Sequence, residues 1–267
     1  MQPNADQLLA LLGGAGTPTS DEFRQLIQTL DNHRVLAKVF LLEGTPFVFE
    51  KSPMKYVIFR EQLADRFDVG SQDVCIVGSA KLGYSPSPHS YGVPFSKSSD
   101  VDVVLISEPL FYRGSRQLFS VLNGLGPSVY AIRQHEDSTR PEKNPPAVGL
   151  QDWRKVKEAI RNFVYENFNP GLLPHDDSFR REIFDSLAST SGLFLALEPK
   201  VLVSKIRGRI FRTWKAAEDY YSNSLREAKS QLSGESAVEP EIEEAEELTK
   251  ATAVPEVTTM KPDRLII

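Results

Sequence analysis

Two short apolar runs limit most strongly what this chain can fold into. Residues 74–78 (VCIVG) and 101–107 (VDVVLIS) are mainly β-branched and other apolar residues, and both runs are short for helices. This pattern predicts two buried β-strands. The segment between them, residues 80–99, contains two glycines, three prolines and many serines, a composition typical of a loop.

Helical periodicity predicts that helices surround these strands. The predicted helices cover residues 4–13, 20–30 with Ser20 as the N-cap, 34–43, 54–67, 108–126, 150–168, about 177–190 and 212–232. Two further strands are predicted at residues 192–198 (GLFLALE) and 201–211 (VLVSKIRGRIF), joined at Pro199. The chain should therefore contain several helices around a small number of strands.

Cysteine content and hydropathy exclude several classes of protein. The single cysteine, Cys75, excludes an intramolecular disulfide and any multi-cysteine metal cluster. It lies in an apolar run, so we expect it to be buried. The chain has no run of 18 apolar residues, which predicts that no segment crosses a membrane. Its N-terminus lacks a basic region before the short apolar run, so we expect a cytoplasmic protein.

The acidic balance of the chain belongs to its C-terminal residues. The formal net charge is −5, but residues 233–267 contain nine acidic and three basic residues, a balance of −6. The remaining 28 basic and 27 acidic residues give residues 1–232 a balance of +1. Global charge therefore neither favours nor disfavours nucleic acid as a partner.

Composition divides the chain into three parts. Residues 1–70 are predicted to form an N-terminal helical segment, and residues 71–232 contain the predicted strands. Residues 233–267 are rich in glutamate and poor in large apolar residues, so we expect a disordered acidic tail. The apolar end of this tail, LII, could bind the rest of the chain or a protein partner.

The two central strands carry residues suited to a metal-bound phosphate. Asp100 and Asp102 are two residues apart, so a strand presents both carboxylates on one face. The two carboxylates repel each other unless a cation lies between them, and Mg²⁺ prefers such oxygen ligands. Gly78 and Ser79 follow the first strand and offer backbone N–H groups and a hydroxyl to a phosphate. The alternative is a solvated strand edge beside a Ser/Pro-rich loop.

This order of motifs resembles the nucleotidyltransferase superfamily whose best-known member is DNA polymerase β. The family signature is a Gly-Ser after one strand and an Asp-x-Asp on the next, here GS at 78–79 and DVD at 100–102. The longer string, from GSAKLGYSPSP to SDVDVVLIS, is similar to a group of bacterial proteins with this domain. The resemblance implies that residues 71–232 form a nucleotidyltransferase-like domain with an α/β (α+β) fold, in which helices flank a mixed sheet. It also implies that Gly78 and Ser79 hold the triphosphate and that Asp100 and Asp102 hold Mg²⁺, or alternatively Mn²⁺.

Active members of this superfamily usually add a third carboxylate on a later strand. Glu198 is the only acidic residue near the predicted late strands, and it is a weak candidate because it precedes a proline. The stretch from residue 200 to 215 contains six basic residues and no acidic one. On the predicted strand, Lys205, Arg207 and Arg209 alternate with apolar or small residues and form a basic row on one face. This row could bind triphosphate or a nucleic-acid backbone, or simply protect a strand edge.

Two hypotheses about function follow. In the first, the protein is an Mg²⁺-dependent nucleotidyltransferase that transfers a nucleotidyl group from a nucleoside triphosphate to a hydroxyl of RNA, protein or another nucleotide. Lys81, in the loop after Ser79, could contact phosphate or be solvated. In the second, the protein is a catalytically degenerate module that binds nucleotide or nucleic acid for regulation. Such a module could belong to a toxin–antitoxin or phage-defence pair.

Overall fold

The computed structural model describes residues 17–125, 150–197 and 205–232, which all belong to one compact unit. Within these residues the protein is a mixed α+β structure with four strands and eight α-helices. The strands are β1 (Val74–Val77), β2 (Val101–Ile106), β3 (Asn167–Phe168) and β4 (Ile206–Phe211). The helices are α1 (Ser20–Thr29), α2 (His33–Leu36), α3 (Pro53–Phe67), α4 (Ser79–Leu82), α5 (Glu108–Leu125), α6 (Leu150–Val164), α7 (Ser178–Leu197) and α8 (Trp214–Leu232).

The sheet is mixed, and its strand order is β1-β2-β4-β3. β1 pairs antiparallel with β2, β2 pairs parallel with β4, and β3 pairs antiparallel with the far side of β4. A parallel pair cannot be joined by a tight turn, and here α5, α6 and α7 lie between β2 and β4 in the chain. This pairing places the end of β1 and the starts of β2 and β4 at the same edge of the sheet.

Apolar side chains cover both faces of the sheet. Val101, Val103 and Leu105 of β2 point into a core shared with α3 and α7, where the rings of Phe59 and Phe194 meet at 5.6 Å. The opposite face belongs to a second cluster, which includes Cys75, Val77, Val104 and Phe211 together with Ala216 and Ala217 of α8. Both faces of β2 are buried, which explains why its sequence is almost continuously apolar.

The N-terminal helices pack on α8. Phe23 and Ile27 of α1, Leu36 of α2 and Leu225 of α8 are buried in one cluster, and the rings of Phe23 and Phe40 lie 5.7 Å apart. Phe40 belongs to a π-helical segment, Ala37–Leu42, which continues α2. Residues 23–42 therefore share a core with the C-terminal helix of the same compact unit, whereas α3 packs in the core on the other face of the sheet.

Several predicted boundaries need correction. The N-cap of α1 is Thr19 and not Ser20, because Thr19 and Glu22 form a capping box: the Glu22 N–H donates to Thr19 Oγ1 at 3.3 Å and the Thr19 N–H to Glu22 at 2.8 Å. The predicted helix at 150–168 ends at Val164, since Glu166 adopts a left-handed φ of +52°. The two residues after Glu166 form β3 instead.

The predicted strand at 192–198 is wrong over residues 192–197. These residues complete α7, and Phe194 packs its ring 5.1 Å from that of Phe49. Packing of this helical face overrides the strand-like composition of the segment. The predicted helix at 4–13, the link at Pro199 and the acidic tail at 233–267 lie outside the described residues. Among the described helices, none has the length and hydropathy required to cross a membrane.

Candidate functional site

The sheet topology brings the predicted site residues to one edge. Val77, the last residue of β1, is paired with Asp102, and Asp102 is paired on its other side with Arg207. Side chains of paired residues share a face of the sheet, so Asp102 and Arg207 point to the same side. That side also carries Val104 beside Arg209. The predicted basic row on β4 is thus observed at Arg207 and Arg209, while Ile206 and Ile210 are buried on the other face.

Gly78 makes the turn that follows β1. Its φ of +68° and ψ of −145° belong to a region that residues with a side chain rarely adopt. A Cβ atom at this position would lie 3.1 Å from Oδ2 of Asp102, tighter than ordinary van der Waals contact. Glycine therefore allows the backbone of the turn to approach the carboxylate of Asp102.

The two carboxylates have different surroundings. The Asp100 side chain is 18 % exposed, and its Oδ2 forms an ion pair with Nη2 of Arg207 at 2.5 Å. The Arg207 side chain is 56 % exposed. Burial raises the pKa of Asp102, an effect that Arg207 and Arg209 oppose and that Asp100 strengthens. Arg207 therefore compensates charge on both acidic residues.

Arg209 is fixed by contacts on two sides. Its Nη1 donates to Oδ1 of Asn167 at 2.9 Å, and its guanidinium lies 4.8 Å from the centre of the Tyr220 ring. Asn167 is 1 % exposed, and its amide nitrogen has no hydrogen-bond partner among the described residues. Burial raises the pKa of the neighbouring Tyr221 well above its usual range, so Tyr221 is a neutral phenol. Arg209 is consequently held in place before any ligand arrives.

Asp102, Arg207 and Arg209 line a cleft of about 430 Å³. Gly78 and Ser79 also line it, together with Ser85–Pro88 from the long loop that joins α4 to β2. The remaining lining side chains include Tyr220, Tyr221, Ser224 and Leu225 of α8 and Leu41 of the π-helical segment. The cleft therefore combines a charged lining from the strands with a largely apolar lining from the helices.

The long loop is anchored to the start of α1. The Tyr84 hydroxyl donates to the carbonyl of Pro18 at 2.9 Å, and the Tyr91 hydroxyl donates to that of Ser20 at 2.9 Å. Arg24 of α1 stacks on the Tyr91 ring at 5.1 Å. The loop that forms a wall of the cleft is thus positioned by the N-terminal helices.

Both predicted phosphate-binding lysines, Lys81 and Lys205, lie outside the cleft. Lys81 is 5 % exposed, and its ammonium group donates to the carbonyls of Glu43 and, at 2.9 Å, Gly44. Burial lowers the pKa of Lys81 to about 8. Lys205 is exposed and does not line the cleft, although its carbonyl accepts from the Val101 N–H at 3.0 Å. Glu198, the weak candidate for a third carboxylate, lies outside the described residues.

Two other basic residues of the 200–215 stretch are paired within the molecule. Arg212 donates to Glu108 at 2.9 Å and to Glu166 at 2.7 Å, and Lys215 pairs with Asp219 at 2.5 Å. Among the described residues of this stretch, the basic side chains that line the cleft are those of Arg207 and Arg209.

The donors around Asp100 and Asp102 fit a metal ion only in part. Among the described residues, no group of three or more His, Cys, Asp or Glu side chains is arranged to hold a metal. The residue that faces Asp102 from the neighbouring strand is Arg207, a cation that cannot be deprotonated and has no acceptor. The described side chains therefore do not form a complete Mg²⁺ site.

Comparisons of the chain with protein-family models, curated proteins and solved structures found no match. The functional argument therefore depends on the site itself. Sequence reasoning missed Asn167 because the residue was assigned to a helix, and no local pattern marks it. It also missed the tyrosine pair of α8, whose YY doublet next to a basic strand was the only available signal.

Proposed function

We propose that the chain has a nucleotidyltransferase-like fold whose cleft binds the polyphosphate of a nucleotide and that it acts as a regulatory binding module. One observation carries this proposal: Arg207 occupies the strand position opposite Asp102, in a cleft that already presents Gly78, Ser79 and Arg209. The order of the Gly-Ser turn and the Asp-x-Asp strand, and the antiparallel pairing of β1 with β2, support the fold part of the proposal.

The charged lining of the cleft suits phosphate. Arginine presents planar pairs of N–H donors that match two phosphate oxygens, and such charge-assisted bonds are stronger than neutral ones. Arg209 is already oriented by Asn167 and Tyr220, so little side-chain entropy is lost when it binds an anion. The Ser79 hydroxyl and the backbone of the Gly78 turn, which follows β1, supply further donors.

The apolar lining of the cleft suits the base and sugar. A volume of about 430 Å³ lies within the range of small-molecule sites. Leu41, Leu225 and the two tyrosines provide apolar surface, and Ser224 provides a polar group. Because Arg212 and Lys215 are paired internally, the site favours a single nucleotide over a long nucleic-acid strand.

Mg²⁺-dependent nucleotidyl transfer is the second candidate function. It is favoured by the placement of Asp100 and Asp102 on one face beside the Gly78 turn. It is disfavoured by Arg207, which forms an ion pair with Asp100 and stands on the neighbouring strand where a third metal ligand would be needed. An acceptor hydroxyl on RNA, protein or another nucleotide would be required, together with a third metal ligand.

Two assays on the full chain test the proposal. Calorimetric titration with each of the four ribonucleoside triphosphates should show binding that Arg209→Gln weakens by about 10- to 100-fold, since a hydrogen bond to a charged group contributes about 1.5–3 kcal/mol. Arg66→Gln, a change of an exposed arginine on α3, should bind like the wild type. In parallel, pyrophosphate release with Mg²⁺ should stay near background. Fast release that Asp100→Ala and Asp102→Ala both abolish would establish transfer instead.

A further inference from the structure

We infer that the cleft takes its nucleotide in the metal-free form, with Arg207 neutralising the phosphate charge and Asp100 positioning Arg207 rather than holding a metal. This inference rests on the proposed function and deepens it. It concerns which ionic form of the ligand the site recognises. The assignment comes from the register of β4 and from the Asp100 contact.

The register of β4 places Arg207 beside Asp102, where a third metal-binding carboxylate would otherwise stand. Arg207 is paired with Asp102 across β2 and β4, and paired strands lie about 4.8 Å apart. An acidic residue here would bring three carboxylates, with Asp100 and Asp102, to one face. Arginine instead places a positive charge at that point. The charge that a bound Mg²⁺ would contribute between carboxylates and phosphate is thus supplied by a side chain.

The Asp100 contact leaves Arg207 able to bind a second anion. The ion pair uses Nη2, while the guanidinium carries five N–H donors in a fixed plane. The Arg207 side chain remains 56 % exposed and lines the cleft, so its other edge can reach a phosphate. Asp100 holds one edge of the guanidinium and so limits its rotation. Arg207 then bridges Asp100 and the ligand.

Magnesium binding to the nucleotide should weaken this recognition. A nucleoside triphosphate chelated by Mg²⁺ carries two fewer negative charges than the free anion, which lowers its attraction to Arg207 and Arg209. The chelated form would also bring a hydrated cation towards two arginines. On the face that carries Asp102, the carboxylate that could join it in holding this cation belongs to Asp100, which is paired with Arg207. The sign of the Mg²⁺ effect therefore distinguishes this site from a metal-dependent one.

The test measures binding of inorganic triphosphate and of the four ribonucleoside triphosphates to the full chain, in EDTA and in excess Mg²⁺. Wild-type affinity should be higher in EDTA than in Mg²⁺, and Arg207→Ala should lower the EDTA affinity by at least about tenfold. Asp100→Asn should lower the EDTA affinity by a smaller factor, without making the affinity higher in Mg²⁺ than in EDTA. In contrast, Arg207→Asp should bind Mn²⁺ on its own and should bind nucleotide more tightly in Mg²⁺ than in EDTA. Lys51→Asp has the same change in charge on an exposed site outside the cleft and should behave like the wild type.

The outcomes separate this inference from the proposed function. Wild-type binding that is as tight in Mg²⁺ as in EDTA, or tighter, would overturn the inference while leaving nucleotide binding intact. A folded Arg207→Asp protein that binds no Mn²⁺ would also overturn it. No binding of any probe in either buffer would reject the proposed function itself. If thermal unfolding shows that Arg207→Asp does not fold, the wild-type comparison decides alone.

Discussion

Replacement of Gly78 by alanine tests whether the turn after β1 depends on glycine. Its φ of +68° and ψ of −145° cost a residue with a side chain about 1–3 kcal/mol. The new Cβ would also meet Oδ2 of Asp102 at 3.1 Å, so this carboxylate must shift by a few tenths of an ångström. Alanine recovers about 0.4–1 kcal/mol by restricting the unfolded chain. The balance predicts a loss of about 1–2 kcal/mol in the free energy of unfolding.

Urea denaturation with linear extrapolation measures this loss. The matched control is Gly192→Ala in α7, where an added Cβ has no atom within 4 Å and the backbone is helical. That change should stabilise the protein by up to about 1 kcal/mol. Nucleotide affinity of the folded Gly78→Ala protein should fall as well, because the displaced carboxylate lies in the cleft. A Gly78→Ala protein as stable as the wild type would refute the strain argument.

The buried Lys81 and the loop residue Tyr84 provide two further predictions. Because burial lowers the pKa of Lys81 to about 8, from 10.5, the unfolded chain binds more protons at Lys81 between these values, so the contribution of Lys81 to the free energy of unfolding rises by up to about 3 kcal/mol from pH 8 to 10.5. Cys75 and the buried tyrosines have raised pKa values and act with the opposite sign at the top of this range, so the quantity to measure is the difference between wild type and Lys81→Met in urea melts, which should rise by that amount. A difference that stays constant with pH would contradict the buried charge. Tyr84→Phe removes the hydrogen bond to Pro18 and should lower the free energy of unfolding by about 1 kcal/mol, while Tyr112→Phe, at an exposed residue, should have no effect. Equal melting of both phenylalanine variants would show that the loop anchor contributes no stability.

The central strands were predictable because their pattern is local. The apolar runs that contain β1 and β2 are bounded by Gly78 and by a loop rich in proline, and nothing in them competes with strand formation. The alternation of Arg207 and Arg209 with Ile206 and Ile210 also predicted which face of β4 is basic. A half-buried strand alternates apolar and polar residues, and this alternation is visible in the sequence without tertiary information.

Long-range contacts determined the rest. The segment 192–197 is as apolar as a strand, but it is helical, and this helix packs Phe194 against Phe49. That packing is visible only in the folded core. Lys81 looked like a loop lysine, yet carbonyls at Glu43 and Gly44 capture it from almost forty residues away. The contact between Arg207 and Asp100 depends on a parallel pairing across more than a hundred residues, which the sequence pattern does not encode.

The charged start of β2 also restricts how the sheet can assemble. Since side chains alternate, a shift of one residue in pairing would turn Asp102 away from Arg207 and into the core that contains Phe59 and Phe194. An uncompensated carboxylate in such a core costs several kcal/mol. β2 is otherwise apolar on both faces and would accept either orientation. Asp102 thus selects a single alignment of this strand during folding, whatever ligand the cleft later receives.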